Sequence, residues 1–303
     1  MTFNERALLP VRAPFRLDLT AAALRRLAAN VVDVVDEDGT YYRAFADDAG
    51  TTLAAVRPRD ETRLEVRTTG ERGMRWLPTI ARMLGVDADL RDWRRRSAKI
   101  PWLRPLARSF DGVKPPRYVS VWEACAHAIV FQQISIYAAG AIMRRAIEAL
   151  SGPAMPAAPG DTPRLPLPFP SARRWLEAPE NVLRAAGLSA NKVAHLRSVA
   201  AAFEAGALQD AQLERLPTAA AAERLRAVRG IGPWSASVVL LRGLGRLDTF
   251  PMRDSGVARS VVLLAGRPID LDAVLEILGP VRGMLYYHLL LGRLATARGV
   301  ERS

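Results

Sequence analysis

Asp254 is the residue of this chain best placed to do chemistry, and the stretch leading to it says why: LRAVRGIGPWSASVVLLRGLGRLDTFPMRD, Leu225 to Asp254. A fixed, ionised carboxylate can stabilise a developing positive charge or take a proton from water. Asp254 precedes Ser255-Gly256-Val257 and an apolar run that includes Val261, Val262 and Leu264. That places it at the N-terminus of a helix, where the charged form is favoured. An aspartate there is also an ordinary N-cap. The two roles are compatible.

What positions the carboxylate is a helical hairpin 22 residues upstream, counted from Gly232. Leu225 and Val228 lie on one helical face and Gly230 stops that helix. Glycine accepts the left-handed geometry of a sharp reversal and lets another backbone come close. Pro233 opens the next helix, where a missing N–H costs nothing, and Trp234, Val238 and Leu241 continue it. The free N–H groups of that helix start, with Ser235 in its first turn, form a ready anion site. Arg226, Arg229 and Arg242 are expected around it. Gly230-Ile231-Gly232 alone would equally suit a plain hairpin in a helical bundle. The distant aspartate distinguishes the two.

The segment RGIGPWSASVVLLRGLGRLDTFP (229–251) resembles the helix-hairpin-helix of the base-excision DNA glycosylases, most closely the bacterial 3-methyladenine DNA glycosylase II branch. Two further stretches match that branch in the expected order, VSVWEACAHAIVFQQISIYAAGAI (119–142) and GLSANKVAHLRSVAAAF (187–203). The resemblance runs from about Trp102 to the end and is weaker before it.

The resemblance implies a mostly α protein with an N-terminal α+β domain. It implies a two-lobed all-helical glycosylase core, containing the hairpin at about 224–242, with the active-site cleft between the lobes. The expected division is 1–90 for the antiparallel-sheet domain and 91–303 for the core, its lobes formed by about 118–246 and by 91–117 with 247–303. The activity implied is release of a damaged, alkylated purine from duplex DNA in base excision repair, leaving an abasic site. Asp254 would then stabilise the oxocarbenium-like sugar and orient or deprotonate the water. A cationic alkylated purine leaves as a neutral molecule, so one carboxylate suffices, unlike ordinary glycosidases.

Bifunctional members of the superfamily carry a lysine shortly after the second hairpin glycine; here Trp234 stands there, so no lyase activity is expected. Trp234 falls at an aromatic pocket position, where an electron-rich face could attract a cationic base. Val238 and Val281 occupy positions usually aromatic in the branch, which leaves Phe131, Tyr137 and Tyr286 as candidates for the base pocket. Gln133 falls at the residue that wedges into the gap left by the flipped nucleotide. Gly230, Ile231, Gly232 and Ser235 would hold the DNA backbone. The carbonyls of Arg226, Val228 and Ile231 match those that hold Na+ or K+ between hairpin and phosphate. Two alternatives stay open at this point: a glycosylase of the same superfamily for a mismatched or deaminated base, and a non-catalytic hairpin protein that binds DNA.

Composition agrees with a polyanionic partner. There are 43 Lys+Arg against 31 Asp+Glu, a formal charge of +12, and contacts to phosphates dominate such affinity. Only Lys99, Lys114 and Lys192 are lysines, so nearly all the excess is arginine. The lone Cys125 excludes an internal disulfide and fits a reducing compartment. It also excludes the four-cysteine iron–sulfur cluster of some relatives of the resembled branch. His127, His195 and His288 are scattered, without zinc-ligand spacing. No cofactor is required on this reading. Neither a membrane-spanning run nor a signal-peptide pattern is visible, and a cytoplasmic monomer is expected.

Toward the N-terminus, residues 15–19 alternate like a half-buried strand, 41–45, 52–56 and 63–68 are further short strand candidates, and 24–29 and 76–84 look helical. Arg91 to Arg96 reads as a solvated helix face. Beyond Pro115-Pro116 the pattern is helical to the end, interrupted by a proline-rich loop over 151–170.

Overall fold

The computed structural model describes residues 2–151, 165–252 and 254–300, so most of the proline-rich stretch lies outside the described residues. Five strands, β1 (Phe3–Pro10), β2 (Asp33–Val35), β3 (Tyr41–Asp47), β4 (Gly50–Asp60) and β5 (Arg63–Thr69), form one antiparallel sheet. Their order is β1-β5-β4-β3-β2. A two-residue reversal joins β3 to β4, with Asp47 facing Gly50, whose φ of +112° suits glycine.

One strand expectation and one helix expectation need correction. Residues 15–19 are not a strand: α1 (Leu17–Arg25) begins within them, and Leu17, Ala21 and Leu24 are buried on one face. The alternation in 15–19 is a coincidence of the helical spacing that continues past it. The helix also ends at Arg25, short of the expected 29. The strand missed from sequence is β1, whose residues are by turns half-buried and exposed although FNERALLP does not alternate in hydropathy.

Helices make up the rest: α2 (Leu77–Leu84), α3 (Arg91–Ser97), α4 (Leu103–Ser109), α5 (Val121–Phe131), α6 (Ile136–Ser151), α7 (Ala172–Glu177), α8 (Glu180–Ala185), α9 (Ala190–Glu204), α10 (Asp210–Arg215), α11 (Thr218–Arg226), α12 (Pro233–Arg242), α13 (Ser255–Ala265), α14 (Leu271–Leu278) and α15 (Gly283–Val300). Arg94, Arg95 and Arg96 of α3 all bond to Asp92 or Asp111. No helix among the described residues is long and apolar enough to cross a membrane.

Three hydrophobic cores result. The first is built on α5 and α9 with α6, α7, α11 and α12, and holds Trp175, Leu196, Leu225 and Val239. The second gathers α3, α4, α13, α14 and α15, with Trp93, Leu278, Leu285 and Tyr287 inside. The third lies between the sheet and helices α1 and α2.

The N-terminal segment is knitted into the other two cores. Val31 and Val32 belong to the first, and Ala23 to the second. Arg43 of β3 joins the sheet to α5: it meets Glu123 through two bonds of 2.9 and 2.7 Å and Asp33 at 2.7 Å. All three side chains are at least 98% buried. Such a cluster is weak evidence of net stability, but breaking it by removing one partner costs about 3–5 kcal/mol.

Candidate active site

Asp254 caps α13 as its position implied. Its Oδ1 accepts from the backbone N–H groups of Gly256 at 2.8 Å and Val257 at 3.0 Å. Its Oδ2 accepts from the Trp234 indole N–H at 3.0 Å. Both oxygens are thus fixed, and the carboxylate is half-buried at the wall of a cavity of about 1190 Å³. A side chain at position 256 would put its Cβ 3.0 Å from Asp254 Oδ1 and 2.6 Å from the end of the Arg293 guanidinium, so it would crowd the carboxylate and push Arg293 aside.

The cavity lies where the first and second cores meet. Trp234, Val238 and Phe131 face it from one side, and Val257, Leu289 and Leu290 from the other. Tyr137 and Tyr286 also line it. Val281 does not: it sits in the 3-10 turn Gly279–Val281 and packs on the second core, so the pocket loses that expected member. Among the described residues, five arginines, Arg26, Arg226, Arg229, Arg259 and Arg293, line the cavity against the single carboxylate Asp254.

The hairpin has the geometry its glycines demand. Gly230 holds φ +100°, and a Cβ on it would stand 2.6 Å from His195 Cβ. Gly232 caps α12 in extended conformation, with open space where its side chain would be. Ser235 is buried, and its hydroxyl accepts from the Gln132 amide at 2.7 Å. The same amide donates to the Gly230 carbonyl at 3.0 Å. Ile231 is buried in the first core and its N–H donates to the Val228 carbonyl at 3.2 Å.

Arg242 is the clear correction. It was expected beside the hairpin's anion site, but it lies in the last turn of α12, about 13 Å along the axis from Pro233. It is fully buried, donates to the Ala23 carbonyl at 3.0 Å, and has its guanidinium 4.6 Å from the Tyr118 ring centroid.

Gln133 follows α5 with φ +57°, a left-handed backbone rare for a residue with a side chain. It is exposed at the mouth of the cavity. The turn carrying it is pinned by Lys192 of α9, whose ammonium donates to the Val130 carbonyl at 2.6 Å and the Gln132 carbonyl at 3.0 Å. Burial holds the Lys192 amine below its usual range. Its place in the sequence gave no sign of this task. The signal available was only its rarity, as one of three lysines.

A second residue missed from sequence is Arg26. It follows α1 with φ +58°, reaches the cavity from the N-terminal segment, and donates to the Tyr286 hydroxyl at 3.2 Å. None of Lys99, Lys114 and Lys192 is among the residues lining the cavity.

Comparison with known proteins matches this arrangement. Residues 126–268 fit the family model described as HhH-GPD superfamily base excision DNA repair protein. The chain is 30% identical over 273 residues, 88% of its length, to a probable bifunctional transcriptional activator/DNA repair enzyme AlkA of Mycobacterium tuberculosis, of which it covers 51%. It is 26% identical over 205 residues, 64% of its length, to a DNA-3-methyladenine glycosylase of Bacillus subtilis, covering 63% of that protein. The chain therefore spans about half to two thirds of the length of these curated relatives. Among solved structures, the 3-methyladenine DNA-glycosylase of Archaeoglobus fulgidus superposes with a TM-score of 0.76 at 25% identity, over 94% of this chain and 97% of that one. With their hairpin and capped aspartate, residues 126–268 match the HhH-GPD superfamily of base excision DNA repair proteins, and the chain as a whole is similar to AlkA and 3-methyladenine glycosylase relatives.

Proposed function

We propose that this chain is a monofunctional DNA glycosylase that hydrolyses the N-glycosidic bond of damaged, alkylated purines in duplex DNA. The observation that carries the reading is the fixed Asp254 carboxylate in a cavity that opens beside the Gly230-Ile231-Gly232 loop. The flipped nucleotide enters the cavity, Gln133 fills the gap in the stack, and unstacking costs least at a damaged pair. As the C1′–N bond breaks, its electron pair leaves with the base and positive charge spreads over the sugar. Asp254 stabilises that charge, and water adds to C1′ with its proton passing to the carboxylate. An abasic site remains.

Absence of strand cleavage is part of the proposal. Trp234 occupies the place of a lysine nucleophile and bonds to Asp254 instead. Trapping with borohydride should therefore yield no covalent complex with DNA.

The hairpin also bears on DNA binding. The Arg226, Val228 and Ile231 carbonyls are neutral oxygen donors at the end of α11 and the start of α12, a set that suits Na+ or K+. The Val228 carbonyl, which already takes the Ile231 N–H, keeps a second lone pair for it. Such an ion would neutralise a backbone phosphate approaching the open face of Gly232. A reducing, DNA-containing compartment such as the bacterial cytosol suits the buried free thiol of Cys125, and we expect the chain to work as a monomer.

Mass-spectrometric identification of bases released from alkylated, deaminated and oxidised DNA tests the reading. Alkylated purines should be freed by the wild type. Asp254→Asn should lose release by about a hundredfold or more while still binding damaged duplex. Undiminished release by Asp254→Asn would remove that residue from its role. Release of nothing by the wild type would leave a DNA-binding protein without this chemistry.

A further inference from the structure

Arg293 is a charged side chain at the Asp254 end of the cavity that neither the hairpin nor the bond-breaking step uses. Tyr286, Leu289, Leu290 and Arg293 of α15 all line the cavity, and their spacing puts them on one face of that helix. Tyr286 and Arg293 are about 10 Å apart along the axis, so the face runs from a hydroxyl through two leucines to a guanidinium. That guanidinium lies over the first turn of α13. A Cβ on Gly256 would stand 2.6 Å from Arg293 Nη1 and 3.0 Å from Asp254 Oδ1, so cation and carboxylate converge on one point. Yet Asp254 is held by Trp234 and by backbone N–H groups instead. Among the described residues nothing accepts a hydrogen bond from Arg293.

Left in that state, the arginine would oppose the chemistry beside it. A half-buried guanidinium repels the positive charge that builds on the sugar as the C1′–N bond breaks. An anion bound to it removes the conflict. Apart from Asp254, no carboxylate lines the cavity among the described residues, so the DNA has to bring that anion. The nucleotide itself carries it, because both of its phosphates are only a few bonds from C1′. With C1′ beside Asp254, one of them comes within reach of Arg293. A guanidinium meets two phosphate oxygens through parallel N–H···O bonds, which fixes direction as well as distance. This phosphate is distinct from the one at the hairpin: Ile231 and Val228 belong to the first core, whereas α13 and α15 belong to the second. The DNA backbone is then held from both walls of the cavity.

We infer that Arg293 binds a phosphate adjoining the flipped nucleotide and so positions C1′ against Asp254. This rests on the glycosylase reading above and adds a residue to its site. The contact forms only once a nucleotide has left the stack, because Arg293 lines the cavity. It also suits a cationic alkylated purine, since arginine and phosphate together carry no net charge.

Fluorescence anisotropy is measured on two duplexes, one undamaged and one carrying a tetrahydrofuran abasic-site analogue. For Arg293→Met, affinity for the abasic-site duplex should fall about tenfold, the worth of one charge-assisted hydrogen bond, while affinity for the undamaged duplex is unchanged. Replacing one of the two phosphates that flank the analogue by an uncharged methylphosphonate should cost the wild type about tenfold and cost Arg293→Met nothing further. Arg293→Lys, which keeps the charge but not the paired bonds, should fall between the two. Single-turnover release of N7-methylguanine by Arg293→Met should drop about tenfold, as a misplaced sugar requires.

Equal losses by Arg293→Met on both duplexes would overturn the inference, because the arginine would then add only to the general field of the surface. So would a wild type indifferent to methylphosphonate at either flanking phosphate, a result that needs no folded variant. Weakened binding with undiminished release would overturn the positioning role. A wild type that releases no base from alkylated DNA would instead overturn the glycosylase reading, whatever its affinities.

Discussion

The Trp234 indole N–H and Asp254 Oδ2 are 3.0 Å apart, and this bond ties the hairpin helix α12 to the capping residue of α13. The two helices belong to different cores, so the bond also bridges the cavity between them. Each carboxylate oxygen has an N–H donor, and Asp254 has little rotational freedom left.

Trp234→Phe should separate positioning from binding. It keeps an aromatic ring and removes the bond to the carboxylate, worth about 1.5–3 kcal/mol for a charged acceptor. We expect the single-turnover rate of base release to fall about tenfold or more, with affinity for abasic-site DNA nearly unchanged. An equal loss in both would mean that Trp234 serves binding alone.

The two hairpin glycines should fail for different reasons. Gly230→Ala forces a Cβ to within 2.6 Å of His195 on a backbone at φ +100°, so a large loss of thermal stability is expected. Gly232→Ala meets nothing within 4 Å and costs about 1 kcal/mol or less as a helix cap. Its Tm should be close to the wild type, while DNA affinity drops if, as proposed above, a phosphate approaches the open face of Gly232. Calorimetry and fluorescence anisotropy of the same two variants check both halves.

Gln132→Ala removes both amide bonds that hold the loop, to the Gly230 carbonyl and the Ser235 hydroxyl. It leaves the buried Ser235 with one partner fewer. A stability loss of about 1–3 kcal/mol is expected, together with weaker and less salt-sensitive DNA binding. A variant with wild-type denaturation and an unchanged salt slope would show that the loop holds its shape alone.

His288 makes stability depend on pH. It is buried, accepts from the Trp93 indole at 3.2 Å, and places Nδ1 2.9 Å from the Met284 carbonyl; burial pushes its pKa down to about 4. Between about pH 6.5 and 4 the unfolded chain binds a proton that the folded one refuses, so stability is present above this window and lost as pH falls through it. The loss is on the order of 3 kcal/mol at the acid end. Urea denaturation from pH 7.5 to 4.5 should show it, and His288→Gln should make the profile shallower, the buried His127 keeping part of the slope.

The candidate carboxylate's capping position and the hairpin's geometry were legible in the sequence because the signals are local and of fixed spacing. Gly230, Gly232, Pro233 and the cap at Asp254 each report a backbone requirement that few residue types can meet. Arg26 was not legible, since it stands 228 positions before Asp254 and its segment had been read as part of another helix. Arg242 was misplaced because charge suggested solvent and phosphate, whereas a pocket of Tyr118, Tyr287 and the Ala23 carbonyl takes it inside. For Val281 the family position was informative, but the packing of a 3-10 turn decided where the side chain went. The strand at Phe3–Pro10 alternates in burial but not in residue type, so no period-2 signal marked it, whereas residues 15–19 alternate in type and are helical from Leu17.

Helix α5 has the Arg43–Glu123 pair near one end and Gln133 just beyond the other, with about 12 Å of buried helix from Glu123 to Phe131. It acts as a strut. If Gln133 is the wedge proposed above, the force that drives it between stacked bases travels back along α5, and the sheet receives it through Arg43. The N-terminal sheet would then be a backstop for DNA distortion without having to touch DNA, and damage to β3 should be felt as a softer wedge on the far side of the molecule.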